Sequence, residues 1–407
     1  MSVFRSPVVR GLLIARAGRS LGQGALVAAF ALYLRALGWS APEIGAVLSA
    51  ALLGGAALTM TVGPLSDRLG RRRFLLAYEA IQAGAALLAL ATARLPLLVA
   101  AAIAGSFGRG ANGTAGPFGP LEQAWLAQVV PDDRRGEVFS VNAAVGFVGM
   151  ALGAGLAGGV KLLVRPLGPL LAYRPLFLLP LGGSLLAFWI LAGLSEPPRA
   201  SAPARADGGR AQAAEARVEN AMLARLVAAN VLNGLGIGMI APLIAYWLAV
   251  RFGHGPGSIG PALAGAFALG ALGSVAAARL TRRHGLIRPV VVMRGIGLLL
   301  LVSVPFMPSF ALAVGLYALR AGFNQGTAGV RQALAVGLSR ERRGLAASLQ
   351  SVSIQLPRAL GPLIAGFLLH AGHLRAPFFA AAGFQAAYLV LYARFFRSYG
   401  RPAPSEA

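Results

Sequence analysis

Gly63-Pro-Leu-Ser-Asp67-Arg68-Leu-Gly70-Arg71-Arg72-Arg73 is a short basic segment between two apolar stretches, residues 44–65 and 74–93. Its glycines permit close packing and a tight turn, and its aspartate can pair with arginine or cap a helix. Apolar stretches of about 20 residues that are flanked by arginines are typical of membrane-spanning helices with cytoplasmic loops. The segment therefore predicts an integral membrane protein with this loop in the cytoplasm.

The composition of the whole chain agrees with this prediction. Of 407 residues, 57% are hydrophobic and 12% are charged, whereas soluble proteins carry about 25% charged residues. The composition excludes a soluble multidomain enzyme, and arginines in loops account for the net charge of +24 without nucleic acid. The absence of cysteine excludes disulfides and cysteine-bound metals. We therefore expect no nucleic-acid partner, no metal site and no cofactor.

Twelve apolar segments are long enough to cross a bilayer, which predicts an all-α membrane fold. An even number of spans places both termini on one side, and most of the arginines lie in loops on that side. The positive-inside rule assigns the arginine-rich side to the cytoplasm, so we expect a multi-pass plasma-membrane protein with both termini inside. The predicted spans cover residues 11–34, 44–65, 74–93, 97–129, 137–163, 175–194, 222–250, 257–280, 288–307, 309–338, 344–371 and 376–396.

The chain divides into two similar halves at its one long polar stretch, residues 195–220. Leu37-Gly38 matches Phe252-Gly253 at an offset of 215 residues, and Arg134-Arg135-Gly136 matches Arg342-Arg343-Gly344 at an offset of 208. The matches keep their order along the chain, as expected for an internal repeat. We predict an N-terminal six-helix bundle (1–194), a cytoplasmic linker (195–220) and a C-terminal six-helix bundle (221–407).

The basic loop resembles the signature loop of the major facilitator superfamily, whose two halves are parallel repeats of six helices. The resemblance assigns the family's loop positions to Gly63, Asp67, Arg68, Gly70 and Arg71. It covers the whole chain and implies secondary transport by alternating access. Among its branches, the chain looks most like bacterial efflux permeases, which implies export.

A second motif supports the same resemblance. Arg109-Gly-Ala-Asn112-Gly113 in the fourth span is similar to the family's Arg-x-x-Gln-Gly motif, with asparagine in place of glutamine. The resemblance implies a coupling or structural role for Arg109. The antiporter motif of the fifth span is only partly present, because Ala154 stands where proline is expected.

Charged residues inside the predicted spans are functional candidates, because an unpaired charge is costly in a bilayer. Glu122 in span four and Arg331 in span ten occupy equivalent positions at similar depth, and these two spans face each other in this fold. We predict that they form a cytoplasmic gate and that Glu122 carries a coupled proton together with Arg109; a permanent structural ion pair is the alternative. We assign Glu79 and Arg294, an equivalent pair on peripheral spans, to structural roles.

Arg19, Arg320, Arg358 and Asn233 are the predicted residues of the substrate cavity. Buried arginines favour an anionic substrate, which they bind through charge-assisted hydrogen bonds. Apolar walls would instead suit a neutral, drug-like compound, and a receptor of the same fold that binds without transporting is a further alternative.

The sequence contains no constellation for enzyme chemistry and no Walker loop, so we expect neither an enzyme nor an ATP-driven pump. The expected partners are a small-molecule substrate, protons and the lipid bilayer. We expect a monomer.

Overall fold

The computed structural model describes residues 3–108, 119–131, 134–196, 210–337 and 343–396. Within these ranges the chain is almost entirely helical, and no strand occurs there. The helices of the first half are α1 (Pro7–Ala36), α2 (Ala41–Leu69), α3 (Arg71–Ala91), α4 (Leu95–Ala104), α5 (Gly119–Val129), α6 (Arg135–Ala157), α7 (Val160–Leu171) and α8 (Leu178–Gly193). Those of the second half are α9 (Arg210–Ile240), α10 (Ile244–Phe252), α11 (Pro256–His284), α12 (Ile287–Ser303), α13 (Phe310–Gly326), α14 (Ala328–Gly337), α15 (Arg343–Arg358), α16 (Gly361–His370) and α17 (Ala376–Phe396).

Nine spans in the described part are long and apolar enough to cross a membrane, which agrees with the predicted all-α membrane fold. The first predicted span is α1, whose four arginines, Arg10, Arg16, Arg19 and Arg35, lower its mean hydropathy. The fourth consists of α4 and α5, on either side of residues 109–118, which lie outside the described ranges. The tenth consists of α13 and α14, which meet at Thr327.

Two helices begin or end away from their predicted positions. The fifth span ends at Ala157, and the separate helix α7 follows it at the end of the bundle opposite the termini. Leu162 of α7 is 78% exposed, and Gly168 bends the helix with φ of +78°. Short amphipathic helices with exposed leucines are typical of the membrane interface. Helix α9 begins at Arg210, inside the stretch that we predict as a linker; residues 197–209 of that stretch lie outside the described ranges.

The two halves meet closely at the end of the bundle opposite the termini, which we call the far end. Gly45 of α2 lies directly against the carbonyl oxygen of Pro362 at the start of α16. Next to this contact, the Leu363 N–H donates to the hydroxyl of Ser49 at 3.0 Å. Gly366, one turn further along α16, lies against the backbone where α2 begins. A Cβ at either glycine would collide with backbone, so glycine is required for this approach of the two halves.

Candidate functional site

Three charged side chains meet inside the N-terminal half: Arg19 of α1, Glu79 of α3 and Glu122 of α5. Nη1 of Arg19 donates to Oε1 of Glu79 at 2.7 Å, and its Nη2 donates to Oε2 of Glu122. The Arg19 side chain is 10% exposed, and the two carboxylates are almost completely buried. One guanidinium group therefore bridges two buried carboxylates, and we call these three residues the acid cluster.

The acid cluster has one negative charge in excess when both carboxylates are ionised. An uncompensated charge costs several kcal/mol inside a protein or a bilayer. Oε2 of Glu79 and Oε1 of Glu122 are buried and accept no hydrogen bond from any residue that the structure describes. These oxygens are the places where a proton would neutralise the cluster.

In this structure Glu122 is bound by Arg19 rather than by Arg331, its predicted gate partner, and the gate between Glu122 and Arg331 stays a prediction. The described residues show no ion pair between Glu122 and Arg331; Glu122 binds Arg19 instead, and Arg331 lies close to Arg294. Glu79, which we assigned to a structural role on a peripheral span, is fully buried against Arg19. The sequence gives the depth of a residue in its span but not the direction in which its side chain points.

One sequence signal would have found the acid cluster. Arg19 and Glu122 lie seven or eight residues from the cytoplasmic end of their predicted spans, at a depth of ~12 Å, and Glu79 lies five residues from the end of its span, at ~8 Å. A buried arginine at a depth similar to that of two buried carboxylates is the arrangement that ion pairing requires. Depth and sign of charge therefore favour this pairing, although they do not give the direction in which the side chains point.

A small polar cleft opens beside the acid cluster. Arg19 lines it together with polar side chains from α1, α3 and α8, namely Gln23, Tyr78, Gln82 and Ser184. The cleft gives the Arg19 guanidinium a route to water or to a small ligand. The chain continues from the cleft residue Gly108 to Arg109, the predicted coupling residue, which lies outside the described ranges.

The signature loop turns at Gly70, which has φ of +100° and separates α2 from α3. The backbone N–H groups of Arg71 and Arg72 donate to the two carboxylate oxygens of Glu196 at 2.9 and 3.1 Å. Glu196 thus caps the start of α3, where its negative charge also opposes the helix dipole. The other motif residues, Gly63, Asp67 and Arg68, lie in the last turns of α2, and their side chains lie outside what the structure describes.

We expect Glu196→Ala to lower the free energy of unfolding by about 1 kcal/mol, because two N–H groups at the start of α3 lose their acceptor. Thermal unfolding of the detergent-purified protein measures this loss. Glu137→Ala is the matched control, since Glu137 forms only a half-exposed ion pair with Arg134 at 3.5 Å, and such pairs contribute about 0–1 kcal/mol. Equal effects of the two substitutions would contradict the capping role.

Two of the predicted cavity arginines come together in the C-terminal half. Arg320 of α13 and Arg358 of α15 both act electrostatically on Tyr317, and the Arg320 guanidinium lies 5.8 Å from the centre of that ring. Both arginine side chains are buried. Asn233, the fourth predicted cavity residue, instead accepts a hydrogen bond from Arg294 at 2.6 Å.

Acidic residues are almost absent from the second half of the sequence. After Glu219 the chain contains only Glu341 and Glu406, and both lie outside the described ranges. The spans that carry Arg294, Arg320, Arg331 and Arg358 therefore contain no carboxylate of their own.

Comparison with known families gives a match over nearly the whole chain. A family model described as the Major Facilitator Superfamily matches residues 12–224 and 226–407. Among curated proteins, the uncharacterized membrane protein YJR124C of Saccharomyces cerevisiae is 30% identical over 165 residues, which is 40% of this chain. The match spans only 37% of the yeast protein's length.

Solved structures share the fold at low identity. A bacterial homolog to the human lysosomal transporter Spinster, in an inward-facing and unoccupied conformation, is 15% identical with a TM-score of 0.74, and each chain is fully covered. A D-xylose-proton symporter is 15% identical with a TM-score of 0.72, over 95% of this chain and 97% of that one. The human organic anion transporter MFSD10 is 19% identical with a TM-score of 0.63, over 95% and 98%.

Proposed function

The chain belongs to the major facilitator superfamily, and we propose that it is a proton-coupled secondary transporter that exports a small anionic molecule by alternating access. The observation that carries this proposal is the bridge that Arg19 forms between Glu79 and Glu122 beside a polar cleft. The neutral form of this cluster holds one proton on a carboxylate. We therefore infer that the acid cluster is the proton-binding site of the N-terminal half.

The charge of the acid cluster also determines the sign of the coupling. Without its proton the cluster is negative and repels an anion, whereas with its proton it is neutral and leaves Arg19 to attract one. Anion and proton then favour each other's binding and move in the same direction. Such a transporter exports an anion with a proton when the anion is abundant in the cell. The solved structures named above include a proton symporter and an organic anion transporter, so the fold accommodates both properties.

The closed far end supports export. Glycine contacts between α2 and α16 bring the two halves together there. If the termini lie in the cytoplasm, as the loop arginines predict, the far end, where the two halves are in contact, faces outward. A carrier that rests in this conformation takes up its substrate from the cytoplasm.

The substrate class is inferred from the C-terminal half. Arg320 and Arg358 lie around Tyr317, in a set of spans whose sequence contains no aspartate or glutamate. A basic wall of this kind binds carboxylate, sulfate or phosphate groups through charge-assisted hydrogen bonds. With a monovalent anion and one proton, each transport cycle would carry no net charge.

An apolar cleft favours the alternative substrate class, neutral hydrophobic compounds. This small cleft lies between α9, α10, α16 and α17 near the far end. Met239, Leu243, Trp247 and Phe378 are among its lining residues. A receptor that binds either class of compound without transporting it would show binding but no flux.

The experiment for the substrate class is a thermal-shift screen of the detergent-purified protein against anionic, neutral and cationic compounds. A ligand of the folded state raises the unfolding midpoint by mass action. We expect hits among anions, and we expect Arg320→Ala and Arg358→Ala to weaken them at least tenfold. Arg251→Ala, which removes an exposed cation on α10, should leave them unchanged. Hits confined to neutral compounds would contradict the anionic assignment.

Proton coupling is tested in proteoliposomes with a compound that the thermal-shift screen has identified as a ligand. We expect a pH gradient to drive accumulation of the compound, with anion and proton moving in the same direction. Glu122→Gln and Glu79→Gln each remove the excess charge and should lower gradient-driven uptake at least tenfold, while exchange of substrate between the two sides persists. Glu137→Gln, at an exposed site, is the matched control. Full gradient-driven uptake by both cluster variants would refute the coupling role.

A further inference from the structure

A second charged cluster lies in the C-terminal half, at the positions equivalent to the acid cluster but with the opposite sign. Glu79 corresponds to Arg294 at the repeat offset of 215, and Glu122-Gln-Ala corresponds to Arg331-Gln-Ala. Val330, next to Arg331, and Met293, next to Arg294, belong to one buried apolar cluster with Tyr388 and Tyr392, so the two positive charges lie close enough to repel each other. Where the first half places two carboxylates, the second half places two guanidinium groups. We call this pair and its neighbours the basic cluster.

The basic cluster lacks the counter-charge that Arg19 provides in the first half. The residue 215 positions after Arg19 is Gly234, next to Asn233. Nη2 of Arg294 donates to Oδ1 of Asn233 at 2.6 Å and to Oε1 of Gln385 at 2.9 Å. Both acceptors are neutral amides, so these contacts bind the guanidinium without neutralising it. Arg294 also lies 4.6 Å from the centre of the Tyr388 ring, which offsets only a fraction of a unit charge.

The polar atoms of the basic cluster that lack a partner are all potential donors. In the part of the chain that the structure describes, these atoms are buried and make no hydrogen bond. They are Nε of Arg294, Nε and Nη1 of Arg331, the side-chain amide nitrogens of Asn233 and Gln385, and the hydroxyl groups of Tyr388 and Tyr392. Native proteins leave few buried donors unpaired, because a buried donor without an acceptor destabilises the fold. A set made up of donors is complementary to an anion.

We propose that the basic cluster binds a small inorganic anion, of about the size of chloride, between Arg294 and Arg331. The ion would take the place that the Arg19 guanidinium has between the two carboxylates of the first half. Asn233, Gln385 and Tyr388 are each at most 3% exposed, so the site suits a small ion rather than a metabolite. The site lies between α9, α12, α14 and α17; it includes Asn233, a predicted residue of the substrate cavity, and Arg320 is near enough to act electrostatically on Arg294. It depends on the charges of this half and not on the proposed transport activity.

The test is thermal unfolding of the full-length, detergent-purified protein in sodium chloride and in sodium gluconate, mixed at constant ionic strength. Gluconate is too large for the site, so only chloride should stabilise the folded state by mass action. We expect the unfolding midpoint to rise by about 3 °C and to saturate as chloride replaces gluconate. Bromide should act like chloride. A midpoint that is the same in both salts would overturn the proposal.

Asn233→Asp tests the location of the site. It places a carboxylate beside Arg294 with almost no change in shape, so the protein should unfold at a higher temperature in gluconate and lose its chloride dependence. Asn230→Asp is the matched control one turn earlier on α9, where the amide binds Gln350 and Ser353; it should keep the chloride dependence. Loss of stability in Asn233→Asp with unchanged chloride dependence would place the ion elsewhere and refute the assignment.

Two further variants test the proposal if Asn233→Asp does not fold, or if the protein itself supplies the counter-charge. If Asn233→Asp does not fold, Arg331→Gln should weaken the apparent chloride affinity at least tenfold, and unchanged affinity would refute the proposal. Glu341→Gln tests whether the carboxylate of Glu341, which lies in the sequence between α14 and α15, is the counter-charge. A chloride-independent wild type that is destabilised by Glu341→Gln would show that the protein supplies its own anion.

Discussion

Arg19→Leu is expected to lower the free energy of unfolding by about 3–5 kcal/mol, the loss that follows when one partner of a buried ion pair is removed. Without Arg19, the buried carboxylates of Glu79 and Glu122 lose the cation that pairs with them in the described part of the structure. The loss should shrink as the pH falls, because protons then neutralise both carboxylates. Thermal unfolding of the purified protein across pH measures both effects.

A triple variant separates charge from packing in this result. Arg19→Leu combined with Glu79→Gln and Glu122→Gln has no buried charge in the cluster and should recover most of the lost stability, because buried ion pairs can often be replaced by neutral groups. Arg251→Leu, at an exposed arginine, should change stability by less than about 0.5 kcal/mol. A triple variant as unstable as Arg19→Leu would show that the guanidinium acts by filling space.

Gly45→Leu is expected to abolish transport, with at least a tenfold loss of flux. Any side chain at this position collides with the carbonyl oxygen of Pro362, so α2 and α16 can no longer meet at the far end. The two halves should then stay apart on that side, and alternating access requires that the side closes. The folded protein should still form, because the collision lies between the halves and not within either one.

The opening of the far end can be measured by thiol labelling. The chain contains no cysteine, so Ala41→Cys introduces a single thiol at a site that is 2% exposed. A membrane-impermeant maleimide should label it at least tenfold faster when Gly45→Leu is also present. Gly84→Leu, on an exposed face of α3 with open space around the new side chain, is the matched control. Equal labelling rates in the two backgrounds would show that Gly45 does not hold the halves together.

Much of the fold follows from the sequence because depth and hydropathy are properties of single segments. The apolar stretches predict the spans, and the loop at Gly70 turns with the positive φ that its glycine permits. Helix α7 could not be predicted as a separate element, because its leucines continue the apolar stretch that begins in α6. The break between them depends on Gly158 and Gly159, in a span where glycines are common.

The candidate site was only half predictable. Glu122 and Arg19 were both identified as buried charges, but their pairing depends on how α1, α3 and α5 are rotated about their axes. Glu196 was not identified, since a carboxylate after the last turn of a span is an ordinary feature of a loop. Its contact with α3 joins residues that are 125 positions apart in the sequence. A local sequence pattern does not indicate contacts between residues so far apart.

The unequal distribution of acids between the two halves makes the protein sensitive to membrane voltage. Arg294 and Arg331 lie inside the bilayer, in spans whose sequence has no carboxylate to cancel them. The full transmembrane field is worth about 2.3 kcal/mol per elementary charge per 100 mV. Any rocking that carries these arginines along the field is therefore favoured in one direction by a resting potential, even when the cargo is electrically neutral. A bound halide would cancel one of these charges, so the salt inside the cell would adjust the electrical sensitivity of the cycle.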